Sequence, residues 1–396
     1  MTQYDVVIIG AGIQGAACAQ ALSAAGYQCL VLERHVIPAA ETSSRSSKLI
    51  HGGLRYLENG QFSLVFECLR ERKLWLCNAP ELVQEVPFYI PLYRHSKRRA
   101  WKIHLGLWLY RLLGGGPFKR VRRSEWSTLD GLNLKDLVAV FKYYDGQTDD
   151  VALTHAVLYS AEHLGARLCF NALFVGAHRQ ADAYQIQYQM NGMYHACQAS
   201  LIINAAGPWV NHVLDAITPM PQQLTIDWVG GTHIVLPAQP LMGIYYVEAR
   251  EDGRAVFIMP WQGKTLIGTT EKYFQVIPDI VAPTEGEIDY LLKVYNDYFN
   301  ATMLRADVQS AFAGLRVLPR GTGSYFNRPR DTVIYPDDPR SPRCLSLYGG
   351  KLTASRATAE QVTKQVKGIL GGRKQIADTR DLNLEPYRFV EKNNVL

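Results

Sequence analysis

The apolar positions of this chain change rhythm within its opening residues. Val6-Val7-Ile8-Ile9 is an unbroken β-branched run, the pattern of a strand buried on both faces. Gly10 to Gly15 reads as a turn. Ala16 to Ala25 is rich in small helix formers, and Gly26 stops it. Cys29-Leu30-Val31-Leu32 is a second buried run that ends at Glu33. The opening therefore predicts strand, turn, helix, strand.

Further along, a polar, serine-rich loop is expected from Glu41 to Gly53, then a helix over Phe62 to Cys77 with Pro80 beyond its end. Val151 to Leu164 reads as a helix, Arg167 to Ala199 as short alternating strands, and Leu201-Ile202-Ile203 as another buried strand. Segments at Thr232 to Pro237, Ala255 to Pro260 and Thr265 to Thr269 predict a second sheet. Thr284 and Glu287 form a capping box that opens a helix running to about Phe299. A last helix is expected from Leu352 to Leu370, stopped by Gly371-Gly372. There is no internal repeat and no clean linker, so the domains should be discontinuous. We expect 1–90, 145–215 and 330–396 in a nucleotide-binding domain, with 91–144 and 216–329 in a substrate domain. The fold class is α/β: a Rossmann-type domain interleaved with an α+β domain built on a mixed or antiparallel sheet.

Composition narrows the picture a little. At 396 residues, 47% hydrophobic and 20% charged, the chain can bury a large core and resembles no disordered or fibrous class. A net charge of +6 suits an anionic cofactor, an anionic substrate or an acidic membrane surface, and is too small to argue for nucleic acid. The 7 cysteines are scattered without a CxxC pair, which favours a reducing compartment over a disulfide framework or zinc site. No metal-ligand spacing occurs. The apolar N-terminal run is short and carries Asp5, so it reads as a strand rather than a leader, and no apolar run approaches the ~18 residues of a spanning helix. The expected location is cytoplasmic, with peripheral contact on the inner face of the cell membrane as an option. The basic, aromatic stretch from Tyr93 to Arg123, with Trp101, Trp108 and Tyr110 among its Lys and Arg residues, has two readings. It is either a lipid-surface patch or a solvated helix face with its aromatics turned inward.

Gly10-Ala11-Gly12-Ile13-Gln14-Gly15 is a GxGxxG flanked by a strand and a helix, with Glu33 closing the second strand. Gly10 serves the tight turn, Gly12 the approach of a pyrophosphate, and Gly15 the packing of helix on strand. The helix N-terminus attracts phosphate, and Glu33 suits ribose hydroxyls and disfavours a 2′-phosphate. The fingerprint alone does not separate NAD from FAD. Its extreme N-terminal position and the interleaved segments lean toward FAD.

The run from Thr42 to Glu58, TSSRSSKLIHGGLRYLE, resembles the signature of FAD-dependent (aerobic) glycerol-3-phosphate dehydrogenases. Asn204-Ala205-Ala206-Gly207-Pro208-Trp209-Val210, Gly231-Thr232-His233, Ile267-Gly268-Thr269-Thr270, Gly314-Leu315-Arg316 and Gly349-Gly350-Lys351-Leu352-Thr353 follow in that family's order. The resemblance implies a D-amino-acid-oxidase-like flavoprotein fold and FAD as cofactor. It places Gly10, Gly12, Ile13, Gln14, Gly15, Glu33, Arg34, Thr42, Ser43, Ser44, Ser47, Lys48, Leu49, His51, Ala206, Gly207, Trp209, Gly350, Lys351, Leu352 and Thr353 at the cofactor. It places Arg55, Tyr56, Thr269 and Arg330 at the substrate, and His233, Arg316 and Lys351 at the chemistry. The reaction implied is oxidation of glycerol 3-phosphate at C2, with His233 taking the hydroxyl proton, arginines holding the phosphate and electrons passing to a quinone.

Two departures bear on the substrate. The family carries a basic residue just before the Gly-x-His. Here Gly230 stands in that place, with Asp227 nearby, so a cation near the phosphate or flavin is expected to be missing. The family also usually has a further C-terminal helical domain, and the sequence ends at Leu396 before it. The alternatives are an FAD oxidase or dehydrogenase of another anionic 2-hydroxy or amino acid, and a non-catalytic flavin-binding subunit or sensor. The oligomeric state is left open, a dimer among the options.

Overall fold

The protein is described by a computed structural model over residues 2–239, 241–278, 280–320 and 332–390. Arg330 lies outside the described residues.

Among these residues, nine strands form a first sheet built around the opening unit. Thr2–Ile9 pairs in parallel with Cys29–Leu32 on one side and with Met193–Asn204 on the other. Arg167–Cys169 extends the sheet in parallel beyond Cys29–Leu32. The far half of Met193–Asn204 pairs in parallel with Cys344–Tyr348, while its near half runs antiparallel to Ala183–Met190. The parallel centre is buried on both faces, which is why its strands read as unbroken apolar runs. Helices Ile13–Ala24, Asp150–His163 and Ser355–Leu370 pack together against it, sharing one core with Val6, Ile8, Val31, Leu201 and Ile203.

The second sheet contains ten strands and is also mixed. Its centre is Ile226–Leu236, antiparallel to Lys264–Gly268 and to Ser310–Pro319. Val83–Tyr93 and Leu137–Thr148 form a long antiparallel pair, and the short strand Leu49–Ile50 of the serine-rich segment adds to its edge. Glu285–Tyr298, opened by the Thr284–Glu287 capping box, packs on the central strands. The serine-rich segment leaves the first sheet and joins the second, so it lies across the seam between them.

Three expectations shift. The fingerprint helix starts at Ile13 rather than Ala16, because the Ser43 hydroxyl accepts from the Ile13 N–H at 2.9 Å and caps the helix there. The last helix starts at Ser355 rather than Leu352. Ahead of it Gly349 and Gly350 hold φ of 80° and 129°, and the Leu352 and Thr353 carbonyls accept from the Ser355 hydroxyl and the Trp75 indole N–H. The stretch from 93 to 123 contains a helix, Ala100–Leu112. That helix turns Ile103, Leu107 and Tyr110 inward but leaves Trp101 and Trp108 exposed, so the inward-aromatic reading fails for both tryptophans.

Candidate active site

The glycine-rich turn is shaped by neighbours that leave no room for side chains. Gly10 has φ of 101°, and a Cβ there would lie 2.7 Å from the Ala205 carbonyl oxygen, where the adjacent strand ends. A Cβ on Gly15 would lie 1.9 Å from the Gly10 carbonyl oxygen, so helix and turn touch. Glu33 draws the turn onto the second strand: its carboxylate accepts from the Ala11 N–H at 2.7 Å and from the His35 N–H at 2.9 Å. A carboxylate has about four acceptor positions, so capacity remains for a ribose hydroxyl.

The serine-rich segment is pinned from three sides. Lys48, buried and at φ 58°, makes a 2.6 Å ion pair with Asp150, whose other carboxylate oxygen accepts from the Ser46 hydroxyl at 2.6 Å. Ser47 shares a 3.0 Å hydrogen bond with His233 Nε2. Beyond His51, the Gly52 N–H donates to the Tyr110 hydroxyl at 2.9 Å, and that hydroxyl donates to Asp145 at 2.6 Å. Asp145 is ion-paired with Arg72 at 3.1 Å, yet burial pushes its carboxyl up to about 6.

Two cavities result, and they meet. The first, about 270 Å³, runs along the glycine-rich turn and is lined by Gly10, Gly12, Ile13, Gln14, Glu33, Arg34, Thr42, Ser43 and the Ala205–Trp209 turn. Arg34 stacks on Trp209 at 3.8 Å, closing one side. The second, about 220 Å³, is lined by Ser47, Leu49, His51, Arg55, Tyr56, Leu352 and Thr353, with Tyr246 and Phe257 as an aromatic wall. Arg316, Val317, Gly349 and Gly350 line both, so the second cavity adjoins the channel along the turn.

The second cavity is cationic. Arg55, Arg316 and Lys351 line it, and among the described residues no lining residue is acidic. Lys351 Nζ lies 4.5 Å from the Tyr56 ring centroid and Arg55 lies 5.2 Å from it, so this one ring contacts both cations. Arg316 bonds Glu271 at 2.5 Å, and Arg254 lies 3.5 Å from the same carboxylate. The two histidines are held neutral. Burial, then Arg55 and Lys351, drives His51 down to about 3. Burial, then Lys48 and Arg316, drives His233 down to about 3.

The residues expected from sequence separate into three groups. Gly10, Gly12, Ile13, Gln14, Glu33, Arg34, Thr42, Ser43, Ala206, Gly207, Trp209 and Gly350 line the first cavity, and Ser47, Leu49, His51, Arg55, Tyr56, Arg316, Lys351, Leu352 and Thr353 line the second. Gly15, Ser44, Lys48, His233 and Thr269 line neither. His233 is buried behind Ser47, its ring stacked on Phe312 at 5.0 Å, and a Cβ on Gly268 would lie 2.0 Å from that ring. Thr269 packs under Gly231, where a Cβ would meet its hydroxyl at 2.6 Å. Sequence reasoning passed over Tyr246, Phe257 and Glu271. Glu271 follows directly on the Ile267–Thr270 motif and was open to notice as its next charged neighbour.

The placement of Gly230 follows from the strand register. Val229 pairs with Arg316, and alternation puts Val229, Gly231 and His233 on one face of the strand. Gly230 lies on the other face, where a Cβ would meet the Phe274 ring at 3.0 Å. Asp227 is ion-paired with Arg320 at 3.1 Å.

The sequence profile of the family described as FAD dependent oxidoreductase matches residues 5–365. The chain belongs to this family. Over 372 residues this FAD dependent oxidoreductase is 34% identical to a glycerol-3-phosphate dehydrogenase of Pseudomonas tolaasii, covering 92% of the chain and 71% of that protein. It is also 34% identical over 376 residues to D-erythritol 1-phosphate dehydrogenase of Brucella abortus (strain 2308), covering 92% of the chain and 74% of that protein. The fold matches the glycerol-3-phosphate dehydrogenase of Bacillus halodurans, solved with FAD, at a TM-score of 0.77 and 26% identity, covering 96% of this chain and 68% of that one. FAD fits the channel. Gly10, Gly12 and Gly350 present bare backbone on its wall at a helix start, and the buried Gln14 Oε1, on the same wall, has no hydrogen-bond partner among the described residues.

Proposed function

We propose that this enzyme oxidises sn-glycerol 3-phosphate to dihydroxyacetone phosphate in the second cavity. The observation that carries this reading is a pocket with Arg55, Arg316 and Lys351 on its wall, no acidic lining residue among the described residues, and a wall shared with the dinucleotide channel. A dianionic phosphate is what such a cation set binds best, because guanidinium forks meet phosphate oxygens in pairs. The dehydrogenase relatives act on phosphorylated polyols by name, which supports the same class.

Bound FAD would supply the acceptor for the C2 hydride at its flavin N5. Gly10, Gly12 and the helix start at Ile13 would face its pyrophosphate, Glu33 its ribose, and Gly349–Gly350 with Lys351 its ring. Arg55 and Arg316 bind the phosphate, and Tyr246 and Phe257 exclude water. We assign the C2 hydroxyl proton to the His51 imidazole, which lines the cavity, and keep His233 as the partner that orients Ser47. Burial is the larger cause of the low His51 value, and Arg55 and Lys351, the second, are cations that a phosphate dianion would offset. Substrate binding therefore lifts the part of the depression that these two cations cause.

The expected domain division is proposed in a revised form, with the first sheet and its helices serving the cofactor and the second sheet serving the substrate. Residues 83–90 and 145–148 then move to the second part, since their strands pair there.

A quinone at a membrane surface is proposed as acceptor. Trp101, Leu105, Trp108 and Leu112 are exposed along one face of Ala100–Leu112, beside exposed Lys102, Arg111, Lys119 and Arg120. Among the described residues no helix is long and apolar enough to cross a membrane.

The test is anaerobic. Glycerol 3-phosphate added to the flavin-loaded protein should bleach the flavin absorbance, and a flavin that dithionite reduces but this substrate leaves oxidised overturns the reading. The Brucella relative favours a second reading, a four-carbon polyol phosphate. A higher kcat/KM with D-erythritol 1-phosphate would select it.

A further inference from the structure

Glu271 stands out as a nearly buried carboxylate beside a cavity built for anions. It follows Gly268-Thr269-Thr270 and precedes the short strand Lys272–Phe274, which hydrogen-bonds Ile226–Leu236 through Lys272↔Gly230. Its side chain is only 7% exposed. One carboxylate oxygen accepts from Arg316 Nη2 at 2.5 Å. The other lies 3.5 Å from Arg254 Nη1 and accepts from the Tyr273 hydroxyl at 3.4 Å. Arg254 also donates to the Glu271 backbone carbonyl at 3.3 Å, and its Nε pairs with Asp252 at 3.0 Å. The carboxylate is thus fixed from behind, while its front oxygen grips Arg316, the one cation among the described residues that lines both cavities.

We propose that Glu271 is a positioning residue that sets the placement of Arg316 and matches the cavity's charge to a phosphate dianion. Arg316 is a long side chain, 35% exposed, on a strand whose register only aims it at the junction. Without a tether, holding a guanidinium in one of its many rotamers costs conformational entropy at each binding event. The tether removes that cost beforehand. It also sets the sum of charge. Among the described residues, Arg55, Arg316 and Lys351 give three positive charges and Glu271 one negative, Arg254 being offset by Asp252. The remainder of two matches one phosphate dianion. The proposal rests on the substrate reading above and deepens it.

The experiment compares wild type with Glu271→Ala, Glu271→Gln and Glu271→Asp, each flavin-loaded, by KM, kcat and competitive inhibition by inorganic phosphate. Glu271→Ala should raise both KM for glycerol 3-phosphate and Ki for phosphate about tenfold or more, the scale of a misplaced charge-assisted contact. Glu271→Gln keeps an acceptor for Arg316 and should return KM to within about threefold of wild type, while binding phosphate more tightly because the opposing charge is gone. Glu271→Asp draws the carboxylate back by one methylene and should fall between them, which keeps the test open if the alanine variant does not fold. A purely structural role predicts less folded protein with KM and Ki unchanged, and that result overturns the proposal. So does a Gln variant no better than Ala. If wild type is not reduced by glycerol 3-phosphate, the substrate reading falls. Phosphate affinity, read from the flavin spectrum, then still decides the role of Glu271.

Discussion

Ser47 and His233 share a 3.0 Å hydrogen bond, and of the two only Ser47 reaches the second cavity. His51 reaches it directly. Replacing His51 with Gln should therefore lower kcat by about 10²–10⁴-fold, the range for losing a general base. Replacing His233 with Gln should cost about tenfold or less, through a disordered Ser47. Rapid-reaction flavin reduction measures both, and the opposite ranking would return the base to His233.

Arg55 and Arg316 should behave alike, since both are assigned to the phosphate. Arg55→Ala and Arg316→Ala should each lower kcat/KM by about ten- to hundredfold, as expected for a lost charge-assisted hydrogen bond to an anion. The loss should fall chiefly on KM and be partly relieved by added guanidinium. Steady-state kinetics at fixed ionic strength would show it.

Stability should fall in mild acid. His51 and His233 sit at about 3 in the folded protein against an ordinary 6.5. Between these values the unfolded chain binds protons that the folded chain refuses, so this contribution is present above pH 6.5 and is lost as pH falls. Each histidine is worth about 1.4 kcal/mol per pH unit in that window. Asp145 acts with the opposite sign: raised from 3.8 to about 6, it adds stability as pH falls between those values. Two protons outweigh one. Denaturant titrations from pH 7.5 to 4.5 should show a declining unfolding free energy, with a slope reduced by about one proton in His51→Gln.

Gly10→Ala should bind FAD poorly and unfold earlier. Its φ of 101° and the Ala205 carbonyl at 2.7 Å leave a methyl nowhere to go. Backbone strain of this kind costs about 1–3 kcal/mol. Flavin content after gel filtration and the thermal midpoint both report it.

Trp101→Ser with Trp108→Ser should weaken sedimentation with anionic vesicles and leave kcat with a soluble acceptor unchanged, since both side chains point to solvent.

Much of this was legible in the chain itself. The unbroken runs at Val6–Ile9 and Leu201–Ile203 mark the parallel centre because burial on both faces leaves no polar positions to interrupt them. The Thr42–Glu58 resemblance singled out Ser47 and His51 for the cofactor and Arg55 and Tyr56 for the substrate, and all four line one cavity. What stayed hidden depends on long-range register. Gly230 seemed to lack a cation, and only the pairing of Val229 with Arg316 shows which face it occupies. The burial of His233 behind Ser47 depends on a strand pair and on Gly268. Lys48 looks like a flavin contact in sequence, yet its charge is taken up by Asp150, about a hundred residues away. Pairings of that span leave no local trace in composition or spacing.

Arg316 and Val317 on one strand, and Gly349 and Gly350 just after another, belong to both cavities. Ligands that share a wall share its free energy. Loading the dinucleotide and capturing the anion must then be thermodynamically reciprocal, each changing the other's affinity by the same factor. A phosphate-containing buffer should slow the escape of FAD, and a protein stripped of its flavin should hold the anion less well.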